Sequence, residues 1–344
     1  MTERHSVGPC RDNSAASSDN TLIDNHGRRI TYLRLSVTDR CDLRCRYCCP
    51  EKGISLVPHD QILTYEELER LVRIFASFGV DKIRLTGGEP FARQGLLTFV
   101  KMLKTVPGVK SLFLTTNGVQ ASNHLDSLLS AGVDGINLSL DTLDRKRYHE
   151  TTRRDCLDEV LRTFHGAIAL NIPVKVNSVV LEDTDDDELL SLIGLSKKHP
   201  VTVRFIEKMP FSGAEKVDRS GSGNLLDRLR ALLPDMEEVN TPQSSTARVY
   251  SLPGHQGKIG VIEGNSRHFC GSCNKVRITP TGMLKTCLYD NGVLDLRALL
   301  RSGCDDNEIG KQIKCCVQNS AADGHAAERI SSRLSEPSMS RIGG

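Results

Sequence analysis

The chain has 344 residues, a formal net charge of +2 and no tryptophan. Its length suits one large α/β domain with a smaller region, or two modest domains. The small net charge gives no strong field for nucleic acid or a membrane surface, the few aromatic residues (4%) disfavour a base-stacking platform, and no apolar run is long enough to span a membrane.

The N-terminal stretch 1–20 is Ser-rich and lacks the apolar core of a secretory signal. Glu3, Asp12 and Asp19 weaken a mitochondrial presequence. We therefore expect a disordered leader and a cytoplasmic protein, with the mitochondrial matrix as the alternative location.

From about residue 30, short β-branched runs alternate with amphipathic segments of helical period, which is typical of parallel βα units. The first of these helices is predicted in YEELERLVRIFASFG, where Leu68, Leu71, Val72 and Phe75 share a face and Gly79 can end the helix. The six predicted strands are ITYLRLSVT, KIRLTGG, SLFLTTNG, GINLSLD, VKVNSVV and VTVRFIEKM. The pattern predicts an incomplete (β/α)6 TIM-type barrel over residues 21–211. Polar motifs follow the strands, where a β/α barrel builds its active site.

The alternation stops after Pro210. Residues 212–222 are predicted to form a loop, NLLDRLRALL a helix, and ARVYSLPGHQGKIGVIEG a hairpin that turns near residues 254–257. We predict a C-terminal region over 212–330 and a flexible tail over 331–344.

Many of the twelve cysteines are clustered, and in a chain without a secretory signal clustered thiols indicate a metal site rather than disulfides. Cys41, Cys45 and Cys48 have C-x3-C-x2-C spacing, which lets one loop supply three ligands to a [4Fe–4S] cluster and leaves one iron open. A zinc site or three unrelated thiols are the alternatives, although zinc normally takes four protein ligands in a structural site.

The second group consists of Cys270 and Cys273, spaced C-x2-C, and Cys287 further along the chain. Its spacing allows either a second [4Fe–4S] cluster with an open iron or a zinc site with a fourth ligand such as His268. The spacing alone leaves both possibilities open. Of the two, we predict the second iron–sulfur cluster, and we place it in the C-terminal region.

Several motifs in this order resemble those of the GTP 3′,8-cyclase family of radical S-adenosylmethionine enzymes, from about residue 20 to the end. They are YLRLSVTDRCDLRCRYC, KIRLTGGEP, LTTNG, NLSLDTLD, VKVN, RFIEKMP, HFCGSCNKVRITPTGMLKTCL and the terminal Gly-Gly. The resemblance implies that cleavage of S-adenosylmethionine yields a 5′-deoxyadenosyl radical that removes the C3′ hydrogen of GTP. The C3′ radical then attacks C8 to give (8S)-3′,8-cyclo-7,8-dihydroguanosine 5′-triphosphate, the first step of molybdenum-cofactor biosynthesis.

The resemblance also implies roles for individual residues. Cys41, Cys45 and Cys48 would hold the first cluster, and Cys270, Cys273 and Cys287 the second. Contacts to S-adenosylmethionine would come from Tyr47, Gly88, Ser139 and Met209. The Gly87–Gly88 pair matches the glycine-rich strand end that takes up the methionyl amino group. GTP would be bound by Arg34, Arg84, Thr115, Lys175, Lys275 and Arg277, and Arg277, Gly343 and Gly344 would act in catalysis.

The chain departs from the family at Lys275, where an arginine is typical; lysine keeps the charge but lacks the planar fork. Cys49 is interpreted as a bystander. The resemblance further implies a homodimer, an external one-electron donor and a downstream enzyme that forms cyclic pyranopterin. The alternative functions are a peptide-modifying radical enzyme with an auxiliary cluster and a non-catalytic iron–sulfur protein.

Overall fold

A computed structural model describes residues 20–50, 53–209, 224–264, 266–331 and 339–342. The predicted leader up to residue 19, the predicted loop at 212–222 and most of the predicted tail lie outside these ranges.

Twelve strands form one sheet in the described part of the chain. They are β1 (Tyr32–Ser36), β2 (Lys82–Thr86), β3 (Ser111–Thr116), β4 (Gly135–Ser139), β5 (Val174–Val180), β6 (Thr202–Glu207), β7 (Glu237–Val239), β8 (Arg248–Ser251), β9 (Lys258–Ile262), β10 (Lys275–Ile278), β11 (Met283–Lys285) and β12 (Leu294–Asp295). Their order is β12-β11-β10-β1-β2-β3-β4-β5-β6-β9-β8-β7.

The α-helices of the described ranges lie between and after these strands. They are α1 (Tyr65–Ser77), α2 (Leu96–Lys104), α3 (Leu125–Ser130), α4 (Arg145–Thr152), α5 (Leu157–Ala169), α6 (Asp186–Lys198), α7 (Leu225–Leu232), α8 (Leu296–Arg301), α9 (Asp306–Gln318), α10 (Gly324–Ser331) and α11 (Met339–Ile342).

The six predicted strands correspond to β1–β6, and parallel pairing of neighbours along this series confirms the partial barrel. The predicted hairpin is also confirmed, as antiparallel β8 and β9. One feature was not predicted: β9 pairs in parallel with β6, and β10 pairs in parallel with β1. Two strands from the C-terminal region thus extend the parallel sheet on both sides.

The sequence of α1 shows why the helices cover one face of this sheet. Thr64 caps the helix by accepting from the Glu67 N–H at 3.2 Å, and the Glu67 carboxylate accepts from the Thr64 N–H at 2.7 Å. The predicted apolar face is buried in the core, and Gly79 follows the helix with a φ of +84°.

Alternation along the strands separates this apolar layer from a polar barrel interior. In β1, Leu33 and Leu35 are fully buried in the core, whereas Tyr32 and Arg34 line a cavity on the other face. The fold therefore places polar side chains of several strands in one enclosed space.

Candidate active site

All sixteen predicted site residues within the described ranges line one cavity of about 780 Å³. A volume of this order suits small-molecule substrates and cofactors, whose pockets span ~300–1,000 Å³. The residues are Arg34, Cys41, Cys45, Tyr47, Cys48, Arg84, Gly88, Thr115, Ser139, Lys175, Met209, Cys270, Cys273, Lys275, Arg277 and Cys287. Gly343 and Gly344 lie outside the described residues.

The loop after β1 brings Cys41, Cys45 and Cys48 to this cavity as free thiols. The N–H groups of Cys48 and Cys49 both donate to the Cys45 carbonyl, at 2.9 and 2.8 Å, and form a tight turn. Burial, reinforced by the negative charge of Glu89, raises the pKa of Cys41 to about 12, and burial also raises the pKa of Cys45. Such thiols ionise when a metal supplies strong positive charge. The donor set therefore fits an iron–sulfur cluster with three protein ligands.

The glycines of the GGEP motif are required by the cysteine loop that packs against them. A Cβ on Gly88 would lie 2.3 Å from the carbonyl oxygen of Arg40, and one on Gly87 would lie 2.7 Å from that of Thr38. The Gly88 N–H donates to Thr38 and the Glu89 N–H to Arg40, both at 2.7 Å. The end of β2 thus fixes the start of the loop that carries Cys41.

Asp42 and Asn117, which were not in the predicted set, join the same loop to the end of β3. The Asn117 side-chain amide donates to Asp42 at 2.6 Å, and Gln120 donates to the other carboxylate oxygen at 3.0 Å. Glu89 accepts from the Thr116 hydroxyl at 2.8 Å and the Asn117 N–H at 2.7 Å, and burial raises its pKa to about 7. Asn117 belongs to the TTNG motif and Glu89 to the GGEP motif, and Asp42 follows Cys41 in the first cysteine motif.

Tyr47, between the second and third cysteines, is held by an aspartate at the end of β4. Its hydroxyl donates to Asp141 at 2.9 Å, and the other oxygen of Asp141 accepts from the Val179 N–H at 2.8 Å. Burial raises the pKa of Asp141 to about 6. The aspartate belongs to the NLSLDTLD motif, but its role as the partner of Tyr47 was not predicted.

The second cysteine group lies on two turns. Cys273 donates its N–H to the Cys270 carbonyl at 3.2 Å, and Cys287 donates its N–H to Asp290 at 2.8 Å. The sulfur of Cys270 accepts from the Gly324 N–H at 3.4 Å. All three cysteines are free thiols, and burial raises the pKa of Cys287 to about 11. These donors also fit a cluster with three thiolates.

His268, the residue named as an example of a fourth zinc ligand, is exposed and lines a separate small pocket. Within the described ranges, no three His, Cys, Asp or Glu side chains are arranged to hold a single metal ion. An iron–sulfur cube binds its three thiolates through three different irons.

Basic side chains from neighbouring strands form the inner wall of the cavity. The register of β10, β1 and β2 aligns two rows across the sheet, which are Arg277–Arg34–Arg84 and Lys275–Tyr32–Lys82. Burial and the charge of Arg277 lower the pKa of Arg34 to about 9. The convergence of positive charge predicts a polyanionic ligand, because such a ligand relieves the repulsion within each row.

Lys175 on β5 and Arg204 on β6 extend the basic wall. Burial and the charges of Arg204 and Arg84 lower the pKa of Lys175 to about 8, and burial with Arg84 lowers that of Arg204 to about 9. In the described part of the chain, the buried Nε and Nη2 of Arg204 and the Oγ1 of Thr115 have no hydrogen-bond partner. Because buried polar groups normally have a hydrogen-bond partner, these atoms are candidates for hydrogen bonds to a ligand.

Tyr32 lies at the centre of this wall and was missed in the sequence. Its hydroxyl accepts from the Nε of Arg84, and the Lys82 ammonium lies 4.9 Å from its ring centroid. Burial alone would raise the pKa of Tyr32, but the charges of Arg84 and Arg34 outweigh it and lower the pKa to about 7. Lys82 and Arg204 were also missed, although Lys82 stands two residues before Arg84 and so shares its face.

Lys275, at the position where the family has arginine, already has partners in the protein. Its ammonium donates to the Ser244 carbonyl at 2.8 Å and to the Asn274 side chain at 3.2 Å. It ties the loop before β8 to the cavity wall.

The last described residues pack beside the second cysteine group. Ile342 is buried in a small cluster with Tyr289 and Ala327, and Met339 and Cys287 pack against that cluster. Helix α11 therefore brings Ile342 to the cluster against which Cys287 packs.

Comparison with known proteins agrees with this geometry. Residues 35–195 match the radical SAM superfamily, and residues 201–325 match the Molybdenum Cofactor Synthesis C family. The "GTP 3′,8-cyclase, mitochondrial" of Arabidopsis thaliana is 37% identical over 99% of this chain and 87% of its own length. The GTP 3′,8-cyclase of Alkaliphilus metalliredigens is 39% identical over 94% of this chain and 100% of its own length. The chain belongs to the GTP 3′,8-cyclase family.

Some relatives in the GTP 3′,8-cyclase family are longer. "Molybdenum cofactor biosynthesis protein 1" of Bos taurus is 42% identical over 86% of this chain but 47% of its own length. The chain thus spans about half the length of this relative. Among solved structures, SuiB of Streptococcus suis bound to S-adenosylmethionine has a TM-score of 0.58 at 16% identity. The match covers 83% of this chain and 69% of the SuiB chain, which shows a shared fold.

The cofactors of this GTP 3′,8-cyclase family member are S-adenosylmethionine and two [4Fe–4S] clusters. In the described ranges, every helix is too short or too polar to cross a bilayer.

Proposed function

We propose that this chain converts GTP to (8S)-3′,8-cyclo-7,8-dihydroguanosine 5′-triphosphate, the first step of molybdenum-cofactor biosynthesis. One observation carries the proposal: two groups of three free cysteines and a wall of basic side chains line the same cavity. A cavity built in this way can hold a radical-generating cofactor and a polyanionic nucleotide together.

The residues of the first group would hold the first cluster and orient its co-substrate. Cys41, Cys45 and Cys48 are the proposed ligands, and the reduced cluster with S-adenosylmethionine supplies a 5′-deoxyadenosyl radical when bound. Tyr47, fixed by Asp141, forms the cavity wall beside these ligands. Gly88, Ser139 and Met209 complete the proposed contacts to S-adenosylmethionine.

The basic wall would hold the triphosphate of GTP. Arg34, Arg84 and Lys175 are the proposed phosphate ligands, and Thr115 offers a buried hydroxyl beside them. Guanidinium and ammonium groups form charge-assisted hydrogen bonds to phosphate oxygens. Lys82 and Arg204, which share the wall, are added to the proposed set on the basis of their position.

The second cysteine group would hold the guanine end of the substrate. Cys270, Cys273 and Cys287 leave one iron of a bound cluster without a protein ligand, and Arg277 and Lys275 lie on the adjoining strand β10. Arg277, Gly343 and Gly344 are proposed to act in catalysis. In support, Ile342, which precedes the two glycines in sequence, is buried in a cluster against which Cys287 packs.

The proposal extends to partners and location. It requires an external one-electron donor, and we propose a homodimer and a downstream enzyme that forms cyclic pyranopterin from the product. We propose a cytoplasmic location, with the mitochondrial matrix as the alternative because the Arabidopsis relative is named mitochondrial. We also propose domain boundaries at 21–211 and 212–330.

The test is to incubate the anaerobically reconstituted protein with labelled S-adenosylmethionine, dithionite and GTP. The proposal predicts 5′-deoxyadenosine together with the cyclised triphosphate. Cleavage of S-adenosylmethionine without conversion of GTP would favour a peptide-modifying radical enzyme, and a reconstituted protein that leaves both compounds unchanged would favour a non-catalytic iron–sulfur protein.

A further inference from the structure

A short turn before β1 carries a buried ion pair that faces the cavity. The carboxylate of Asp24 accepts from the backbone N–H groups of His26 and Arg28, both at 2.9 Å, and from the Nε of Arg28 at 2.6 Å. The side chain of Asp24 is 1% exposed and that of Arg28 is 11% exposed. Asp24 therefore fixes the direction of the Arg28 guanidinium.

The guanidinium of Arg28 joins its own turn to two distant segments of the chain. Its Nη1 donates to the carbonyl of Cys270 at 2.9 Å and to that of Ala322 at 2.8 Å, while its Nη2 donates to the carbonyl of Ala321 at 2.7 Å. A planar fork with several N–H donors can make these bonds together, whereas the ammonium of a lysine presents a single point of charge.

The segment that Arg28 holds also contacts the sulfur of the same cysteine. Gly324, two residues after Ala322, donates its N–H to the Sγ of Cys270 at 3.4 Å. Arg28 thus fixes both sides of this N–H···S contact. It holds the backbone of Cys270 on one side, and on the other the segment 321–322 that precedes the donor Gly324. Hydrogen bonds to cluster sulfurs raise the reduction potential of a cluster, and residues behind the ligands govern how tightly metal is held.

We propose that Arg28 is a positioning residue for the second cluster, which orients the Cys270 thiolate and holds the Gly324 N–H against it. The inference rests on the proposed function, because it takes Cys270 as a cluster ligand. It assigns the N-terminal turn to the second cluster site, although 242 residues separate Arg28 from Cys270 in sequence.

The test uses a full-length parent in which Cys41, Cys45 and Cys48 are all replaced by serine, so that only the second cluster is present. Arg28→Lys and Arg28→Ala are then introduced into this parent. Arg70→Ala is the matched control, because Arg70 also links distant segments, to Asp306 at 2.7 Å and to the Cys304 carbonyl at 2.6 Å, but does not line the cavity.

We expect both Arg28 variants to release iron to a chelator about tenfold faster than the parent, in line with the effect of removing a residue behind a metal ligand. Their midpoint potential should move to more negative values, and the electron paramagnetic resonance signal of the reduced cluster should broaden. Arg70→Ala should keep the potential and the signal of the parent, even if its melting temperature falls.

An Arg28→Lys variant with the potential, signal and iron release of the parent would overturn the inference while leaving the second cluster intact. If Arg28→Ala does not fold, Arg28→Lys decides the question alone. A parent that holds no iron would overturn the second cluster of the proposed function, and with it the role of Arg28. The two failures are therefore distinguishable.

Discussion

Tyr32 and Lys175 are side chains of the basic wall whose protonation should change near neutral pH, since their pKa values are lowered to about 7 and about 8. A bound triphosphate raises both pKa values, because it adds negative charge beside each group. A group whose pKa rises on binding takes up a proton with the ligand, so that affinity is greatest below its free pKa. We expect the affinity for GTP to fall above about pH 7, by at most about tenfold per pH unit for each group.

Calorimetric titration with GTP across this pH range measures the effect. Tyr32→Phe should remove the component that begins near pH 7, and Lys175→Met the component that begins near pH 8. Guanosine, which carries no phosphate, is the control ligand and should bind with a nearly constant affinity. A wild-type affinity for GTP that does not change with pH would contradict the placement of the triphosphate at this wall.

Substitutions in the two cysteine groups should have different consequences. Cys45→Ser should abolish production of 5′-deoxyadenosine, because a hydroxyl is a poor iron ligand. Cys273→Ser should retain part of that production but lose conversion of GTP. Iron per chain should fall by about half in either variant, because a cluster that lacks one thiolate is prone to loss.

Iron analysis and chromatography of the products check these outcomes in parallel. Zinc in place of iron at either group would contradict the assignment, as would full production of 5′-deoxyadenosine by Cys45→Ser. Cys49→Ser is a suitable control, since Cys49 is a buried free thiol beside the first group and is interpreted as a bystander.

At the scale of elements, the end of β2 and the cysteine loop should behave as one unit. Gly88→Ala would place a methyl group 2.3 Å from the carbonyl oxygen of Arg40. The atoms that this methyl group would meet belong to the backbone of Asp39 and Arg40, so the loop must shift. We expect the variant to lose the first cluster, and with it about half of its iron, while the second cluster is retained.

Gly194→Ala provides the matched comparison. Gly194 lies inside α6, and a Cβ there would meet no atom within 4 Å apart from its chain neighbours and the backbone of its own helix. Alanine should raise the free energy of unfolding by about 0.5–1 kcal/mol and leave the iron content unchanged. Iron content and chemical denaturation measure both variants, and a Gly88→Ala protein with full iron would show that the loop does not depend on this contact.

The C-terminal tail is the other element with a testable role. Deletion of Gly343 and Gly344 should leave both clusters and the affinity for GTP largely unchanged but suppress the cyclised product. A synthetic peptide ending in SRIGG should restore part of the activity when added in trans. A control in which both glycines are replaced by alanine keeps the length of the tail, and wild-type turnover by the truncated protein would assign the tail no role.

On the scale of the whole molecule, the six strands β1–β6 could be predicted because their period is local. Leu33 and Leu35 alternate with Tyr32 and Arg34, and a helical pattern follows before β2. The pairing of β10 with β1 could not be predicted in this way, since it joins Arg34 to Arg277 across most of the chain. The wall of basic residues depends on that non-local register.

The site was predicted unevenly for the same reason. The cysteines carry their signal in their spacing, and each of the six lines the cavity. Asp141, Arg28 and Tyr32 act through partners on other elements, so that their roles emerge when the chain is folded. The period of a strand predicts on which face of the sheet a side chain lies, but it does not predict which residue that side chain contacts.

The central claim is that one cavity brings the nucleotide to the radical source. GTP labelled with deuterium at C3′ tests it directly, in a single turnover by the reconstituted protein with S-adenosylmethionine and dithionite. We expect deuterium to appear in 5′-deoxyadenosine in step with the cyclised triphosphate. Formation of 5′-deoxyadenosine without deuterium, in the presence of bound GTP, would contradict it.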